Sequence, residues 1–130
     1  SYSSGAFRKH GQFDILMYTT SYGIDPQAQM YGYYHSDNIP CEDNSGTGFN
    51  YSRWIDEEAD AAIDIGGSSP DPEVRRDAYQ KAAERIAEGR PHIYLYDRGD
   101  IDLLREHFMG YDMNIWAEVS WNSAEWWIQK

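Results

Sequence analysis

Sulfur is scarce in this chain: among 130 residues only Cys41 is a cysteine. One thiol closes no internal disulfide and builds no cysteine-rich zinc site, and it does not identify a redox compartment. Long apolar runs are missing as well, and none approaches the roughly 20 residues that a membrane-spanning helix needs. Positive charge is also sparse. Eleven basic residues, three of them lysines, face 22 acidic ones and leave a formal net charge of -11. Nucleic acid and anionic membrane surfaces are polyanions, so this balance argues against both as partners. Its simplest consequence is solubility.

Chemical motifs are equally few. His10, His35, His92 and His107 form no His-Glu-x-x-His and no pair at helical spacing, and spacing is what makes a metal signal specific. A Gly-x-Ser-x-Gly elbow, a phosphate loop and a dinucleotide fingerprint are all absent. Asp56, Glu57, Glu58, Asp60 and Asp64 do not complete the pattern of a calcium loop, which needs a glycine at the turn and a distal Glu besides oxygen ligands at alternate positions. In the first turns of a helix such acids complement the backbone dipole. Arg98-Gly99-Asp100 reads as a turn, and the sequon Asn50-Tyr51-Ser52 matters only in a eukaryotic secretory setting. No catalytic residue, metal or cofactor is therefore expected, and the chain reads as a non-enzyme.

Aromatic side chains are what the sequence has in plenty. They make up 15% of the residues, and the hydrophobic fraction of 41% is enough for a core in one domain. Phe13 to Tyr18 is rich in strand formers and predicts a buried strand. Asp25-Pro26 predicts a turn into a helix over Gln27 to Tyr34, followed by a polar loop over residues 36 to 50. Asp56 predicts the cap of a second helix ending at Gly66-Gly67. The strongest element begins at Asp71-Pro72: Val74, Ala78, Tyr79, Ala82, Ala83, Ile86 and Ala87 share one face, Gly89 follows the last turn and Pro91 prevents continuation. His92 to Tyr96 predicts a second strand. The order strand, helices, strand implies an α/β layer. Trp116, Trp121, Trp126 and Trp127 are too irregular for one helix face, and exposed aromatics usually seek a partner.

Three stretches together resemble the C-terminal part of the family 5 extracellular solute-binding proteins, the receptors of peptide-type ABC importers. They are Gly11-Gln12-Phe13-Asp14 through Tyr18 with Asp25-Pro26, then Asn50-Tyr51-Ser52-Arg53-Trp54 with Asp60, then Asp71-Pro72 through Arg75 and Tyr79 with Pro91-His92-Ile93-Tyr94-Leu95-Tyr96 and Gly110. The resemblance implies an α/β fold, the C-terminal portion of a two-lobed periplasmic-binding-protein type II architecture, hinged to close around a ligand. Residues 1–109 would belong to the second lobe, and residues 110–130 would form an aromatic tail returning to the first. The chain, which starts at Ser1 without a leader, is then expected to be part of a longer protein located in the periplasm or at the cell surface.

The same resemblance implies a cleft wall of Tyr18, Thr19, Thr20, Ser21 and Tyr22, with Asp25, Trp54 and Trp116 as further ligand-binding candidates. Peptide-binding members pair the ligand's α-amino group with an Asp, where this chain has Ser21 or Tyr22. The implied ligand is a peptide or similar small solute, or an oligosaccharide. The implied partners are the N-terminal remainder of the protein and the importer's membrane subunits. Two readings from other classes stay open: an acidic hydrolase domain using a carboxylate pair, and an interaction domain whose tryptophan tail docks on a partner.

Overall fold

A computed structural model describes residues 7, 10–21, 23–97, 99, 101–114, 117 and 119–129. Tyr22 and Trp116 lie outside the described residues. The chain divides into two compact units, residues 1–93 and 94–130.

The first unit is built on three helices, α1 (Gln27–Tyr34), α2 (Glu57–Ser68) and α3 (Pro72–Gly89). Each start has a chemical cause. The Asp25 carboxylate accepts the Gln27 amide N–H at 2.9 Å just ahead of α1. Asp56 caps α2 by accepting the Ala59 N–H at 2.9 Å, and Asp71 caps α3 by accepting the Glu73 N–H, with Pro72 in the first helical position. The helices share a core of Tyr34, Ala62, Ile63, Ala82 and Ile86, with Met30, Tyr31, Tyr33 and Trp54 packed on it. Small residues let them approach closely. A Cβ on Gly66 would meet the Tyr79 ring at 2.5 Å.

Gly89 departs from expectation in an instructive way. It is the last residue of α3, and Arg90 takes the left-handed conformation after it, with φ of 49°. A Cβ at position 89 would meet the Trp54 indole at 2.7 Å, so this glycine is required by a ring lying over the helix end. The α3 face is also narrower than its periodicity implies. Ala78, Tyr79, Ala82 and Ile86 are buried, whereas Val74, Ala83 and Ala87 are exposed.

Polar ties then fix the helices to one another. Arg85 of α3 grips the Asp56 carboxylate through Nη2 at 2.6 Å and Nε at 3.3 Å. Asp60 of α2 accepts both the Ser36 N–H, at 3.0 Å, and its hydroxyl. Tyr79 donates its hydroxyl to Gln27 at 2.9 Å. At the centre sits Asn50, fully buried, whose amide nitrogen donates to the carbonyls of Trp54, His35 and Tyr34 at 2.9, 3.2 and 3.4 Å. Its oxygen accepts the Ser52 hydroxyl at 2.8 Å. The intervening loop is ordered by a second amide: Asn44 accepts from the Cys41 and Gly46 N–H groups and donates to the Ile39 carbonyl.

The expected α/β layer is not present, and the fold is not a lobe of the periplasmic-binding type. Among the described residues the strands are β1 (Phe108–Met109) and β2 (Trp127–Ile128), one short antiparallel pair, so the chain is mostly helical. Neither predicted strand forms. Residues 13–20 form no regular element, no strand pairs with them, and Ile15 and Met17 are 89% and 76% exposed. Residues 93–96 are likewise irregular, with Ile93, Leu95 and Tyr96 exposed. The β-rich composition of both segments reports side chains suited to a pleated surface. A strand also needs a neighbour to take its backbone hydrogen bonds, and the described residues supply none.

The second unit holds its own aromatics. Phe108 pairs with Ile128 and Met109 with Trp127. The Trp126 ring packs against Phe108 at 5.2 Å and Tyr111 at 6.0 Å, and its N–H donates to buried Asn122 at 2.8 Å. Asn122 in turn donates to the Gly110 carbonyl at 2.7 Å, and Trp121 donates to the Asp112 carbonyl at 2.8 Å.

Two stability outcomes follow from the first unit. Asn50→Ala removes a buried donor shared by the Tyr34, His35 and Trp54 carbonyls, of which His35 keeps the Asn38 N–H, and should cost about 1–3 kcal/mol, read as a lower urea midpoint with an unchanged slope. The Arg85 hydrogen bonds hold the Asp56 carboxyl below its ordinary value. Its stabilisation is therefore complete above the unfolded-state pKa of about 4 and fades as pH falls through the lower folded value. Asp56→Asn should lower stability at neutral pH by about 1–2 kcal/mol, allowing for the partial exposure of Arg85, and flatten the acid limb of a stability-against-pH profile.

Candidate functional site

Around Tyr18, the first residue of the expected cleft wall, rings from four separate parts of the first unit pack together. Along residues 16–20 the side chains alternate, with Leu16, Tyr18 and Thr20 partly buried and Met17, Thr19 and Ser21 exposed. That alternation is the strand pattern surviving without a sheet. It lays the Tyr18 ring against Tyr33 of α1, stacked with centroids 6.2 Å apart, and sets it edge-on to Tyr51 and to His92, each at 5.9 Å. Phe49 extends the wall, 5.8 Å from Tyr33 and 6.2 Å from Tyr51. Such offset and edge-to-face pairs place ring edges, with their slight positive charge, against the negative faces of neighbours.

His92 ties the wall together. Its Nε2 lies 3.1 Å from the Tyr18 hydroxyl and its Nδ1 lies 3.4 Å from the hydroxyl of buried Tyr34. A phenol both donates and accepts, so a neutral imidazole is satisfied whichever nitrogen carries the proton. Burial pushes the His92 pKa down from its ordinary value. The ring thus works as a neutral crosslink between Tyr18 and the end of α1. Thr20 is also committed internally, donating its hydroxyl to Tyr33.

The other expected site residues divide by role. Thr19 and Ser21 stand exposed beside the wall with side chains toward solvent. Asp25 is held elsewhere: one oxygen accepts the Gln27 N–H and the other takes Arg75 Nη2 at 2.7 Å. Trp54 packs edge-on against Tyr34 at 6.5 Å and covers Gly89, so it belongs to the core. Tyr33, Phe49, Tyr51 and His92 were not among the candidates. Their signal in the sequence was slight, because a wall drawn from four segments has no local spacing.

Two carboxylates of the acidic run near α2 serve structure, and a third lies near a buried imidazole nitrogen that has no hydrogen-bond partner among the described residues. Asp56 caps α2 and holds Arg85, Asp60 holds Ser36, and Asp64 Oδ1 lies 3.4 Å from Nε2 of buried His35. His35 uses Nδ1 to accept the Asp37 N–H at 3.1 Å, and its ring lies 4.5 Å from that of Tyr31. Among the described residues no group of three or more His, Cys, Asp or Glu side chains comes together to hold a metal ion. Among the same residues, no helix is long and apolar enough to cross a membrane.

Comparison with protein-family models, with curated proteins and with solved structures finds no match.

The sign of the His92 effect fixes a pH dependence. Because its folded-state pKa lies below the unfolded value of about 6.5, the unfolded chain takes up the proton first as pH falls. Stability is full above that value and declines as pH drops from it toward the folded pKa. Urea midpoints at pH 7.5 and 5.5 should show this loss, and His92→Asn should remove most of it.

Proposed function

We propose that this chain is the capture part of an extracytoplasmic solute-binding protein serving a bacterial or archaeal ABC importer. Its Tyr18–Ser21 segment offers one face of the binding site to an uncharged small solute, a peptide backbone or an oligosaccharide. The reading rests on the residues of the wall and not on the fold. One observation carries it: the rings of Tyr18, Tyr33, Phe49, Tyr51 and His92 converge beside the exposed hydroxyl residues Thr19 and Ser21, while the candidate carboxylate Asp25 is paired with Arg75.

Stacking on a tyrosine face favours the apolar faces of sugar rings and of peptide planes, and hydroxyls then set orientation. A charged α-amino group would find no counter-charge among these wall residues, and burying it unpaired is costly. The role is binding and release, with no covalent chemistry. The rest of the receptor would supply the facing wall and the contact with the importer's membrane subunits.

Binding to the whole 130-residue chain is measurable by isothermal titration or by tyrosine ring NMR shifts. Uncharged glucose oligosaccharides, N-acetylated peptide amides and the same peptides with free amino termini serve as probes. The expected result is binding of at least one uncharged class, perturbation of the Tyr18, Tyr33 and Tyr51 rings, and a loss of about tenfold or more in Tyr18→Ala. Preference for the free-amino peptides, or unchanged affinity in both Tyr18→Ala and Ser21→Ala, would sink the assignment. So would turnover of any probe.

A further inference from the structure

A second feature of the first unit has no part in the wall. Helices α2 and α3 run as an antiparallel hairpin, and along one side a groove of about 640 Å³ opens between them. Its floor is made of alanines, Ala61 and Ala62 from α2 and Ala78 from α3. Its two ends differ. Ile65 and Val74, 49% and 43% exposed, form an apolar end beside the turn that joins the helices. Glu57, Glu58 and Lys81 form a charged end, with Asp77 on the rim between.

The charge at that end is unbalanced. Among the described residues lining the groove Lys81 is the one cation, and it faces Glu58 at 3.5 Å, with Arg85 Nε 4.0 Å from the same carboxylate. Glu57 has no ion pair among the described residues, and Asp77 faces Arg76 outside the groove lining. With Asp77 on Arg76 and Glu58 on Lys81 and Arg85, Glu57 is the rim carboxylate left to face a partner, in a chain whose net charge is already -11. The alanine floor leaves room above it for branched side chains from outside, and half-exposed Ile65 and Val74 provide them with apolar contact.

We propose that this groove is a docking site for a positively charged amphipathic helix of a partner protein. The occupant places aliphatic residues at i, i+3, i+4 and i+7 on the alanine floor and against Ile65 and Val74, and Lys or Arg residues beside Glu57, Glu58 and Asp77. Helix-in-groove recognition of this type takes its affinity from the apolar stripe and its choice of partner and direction from the rim charges. The basic end of the partner helix lies at the Glu57 end, so the charge gradient sets polarity as well as position. This site stands apart from the proposed solute wall, and its test does not depend on that wall.

Two synthetic helical peptides of roughly 15 residues share one leucine stripe and carry either lysine or glutamate on its flanks. Their binding to the whole chain is read by fluorescence anisotropy. The lysine peptide should bind at least about tenfold more tightly than the glutamate peptide, and its affinity should fall as salt is added. Ala61→Arg, which fills the groove from an exposed position, should abolish binding, as should the triple variant Glu57→Gln, Glu58→Gln, Asp77→Asn. Removing the same charge elsewhere, with Glu42→Gln, Asp43→Asn and Glu84→Gln, should leave binding in place. Circular dichroism melts establish that each variant is folded. Equal binding of the two peptides, no binding by either, retention of binding in folded Ala61→Arg, or equal loss in the two charge-neutralised triples would each overturn the proposal.

Discussion

Three carbonyl groups at the end of α1 and the approach to α2 converge on one buried side-chain amide. Asn50 donates to Tyr34, His35 and Trp54, which brings the last turn of α1, the loop and the entry to α2 to one point. Buried carbonyls without donors would each carry a desolvation penalty. Much else hangs from this junction. Tyr34 reaches the core and His92, His35 starts the short turn that Asp60 anchors, Trp54 covers the end of α3, and the adjacent Tyr51 enters the aromatic wall. The hydrophobic core supplies the driving force for collapse, but the amide specifies how the helices and the loop meet.

Local chemistry was legible in the sequence where the cause is local. The caps at Asp56 and Asp71, with Pro72 behind the second, act within one turn of themselves, and α2 and α3 start where those residues require. Asp25-Pro26 placed α1 to within one residue. The sheet was misread because β-propensity describes a side chain's fitness for a pleated surface, while pairing depends on a distant backbone. Burial alternates from Leu16 to Ser21, yet no strand lies beside this segment among the described residues. Gly89 shows a subtler error: a glycine near a helix end invites a conformational reading, whereas here a Trp54 ring demands the missing side chain.

The ring packing around Tyr18 was half legible for the same reason. Tyr18 stood out because it is embedded in a run of hydroxyl-bearing residues, and the structure does surround it with rings. Its neighbours Tyr33, Tyr51 and His92 come from distant positions, and only tertiary packing collects them. Asp25 was a plausible ligand contact from its place in sequence, but Arg75, fifty residues away, takes its charge. Long-range ion pairs of this kind leave no periodic trace.

The burial of Asn50 also bears on how the protein can be made. Asn50-Tyr51-Ser52 satisfies the requirement for N-linked oligosaccharide transfer, an event that occurs on an extended chain during secretion in eukaryotic cells. In the folded protein that nitrogen is fully buried and donates to three carbonyls. A sugar on it would hold the amide in solvent and leave the helix junction open. In such a host, glycan transfer and folding compete for the same atom, and a molecule modified there is diverted from the native state before its helices meet.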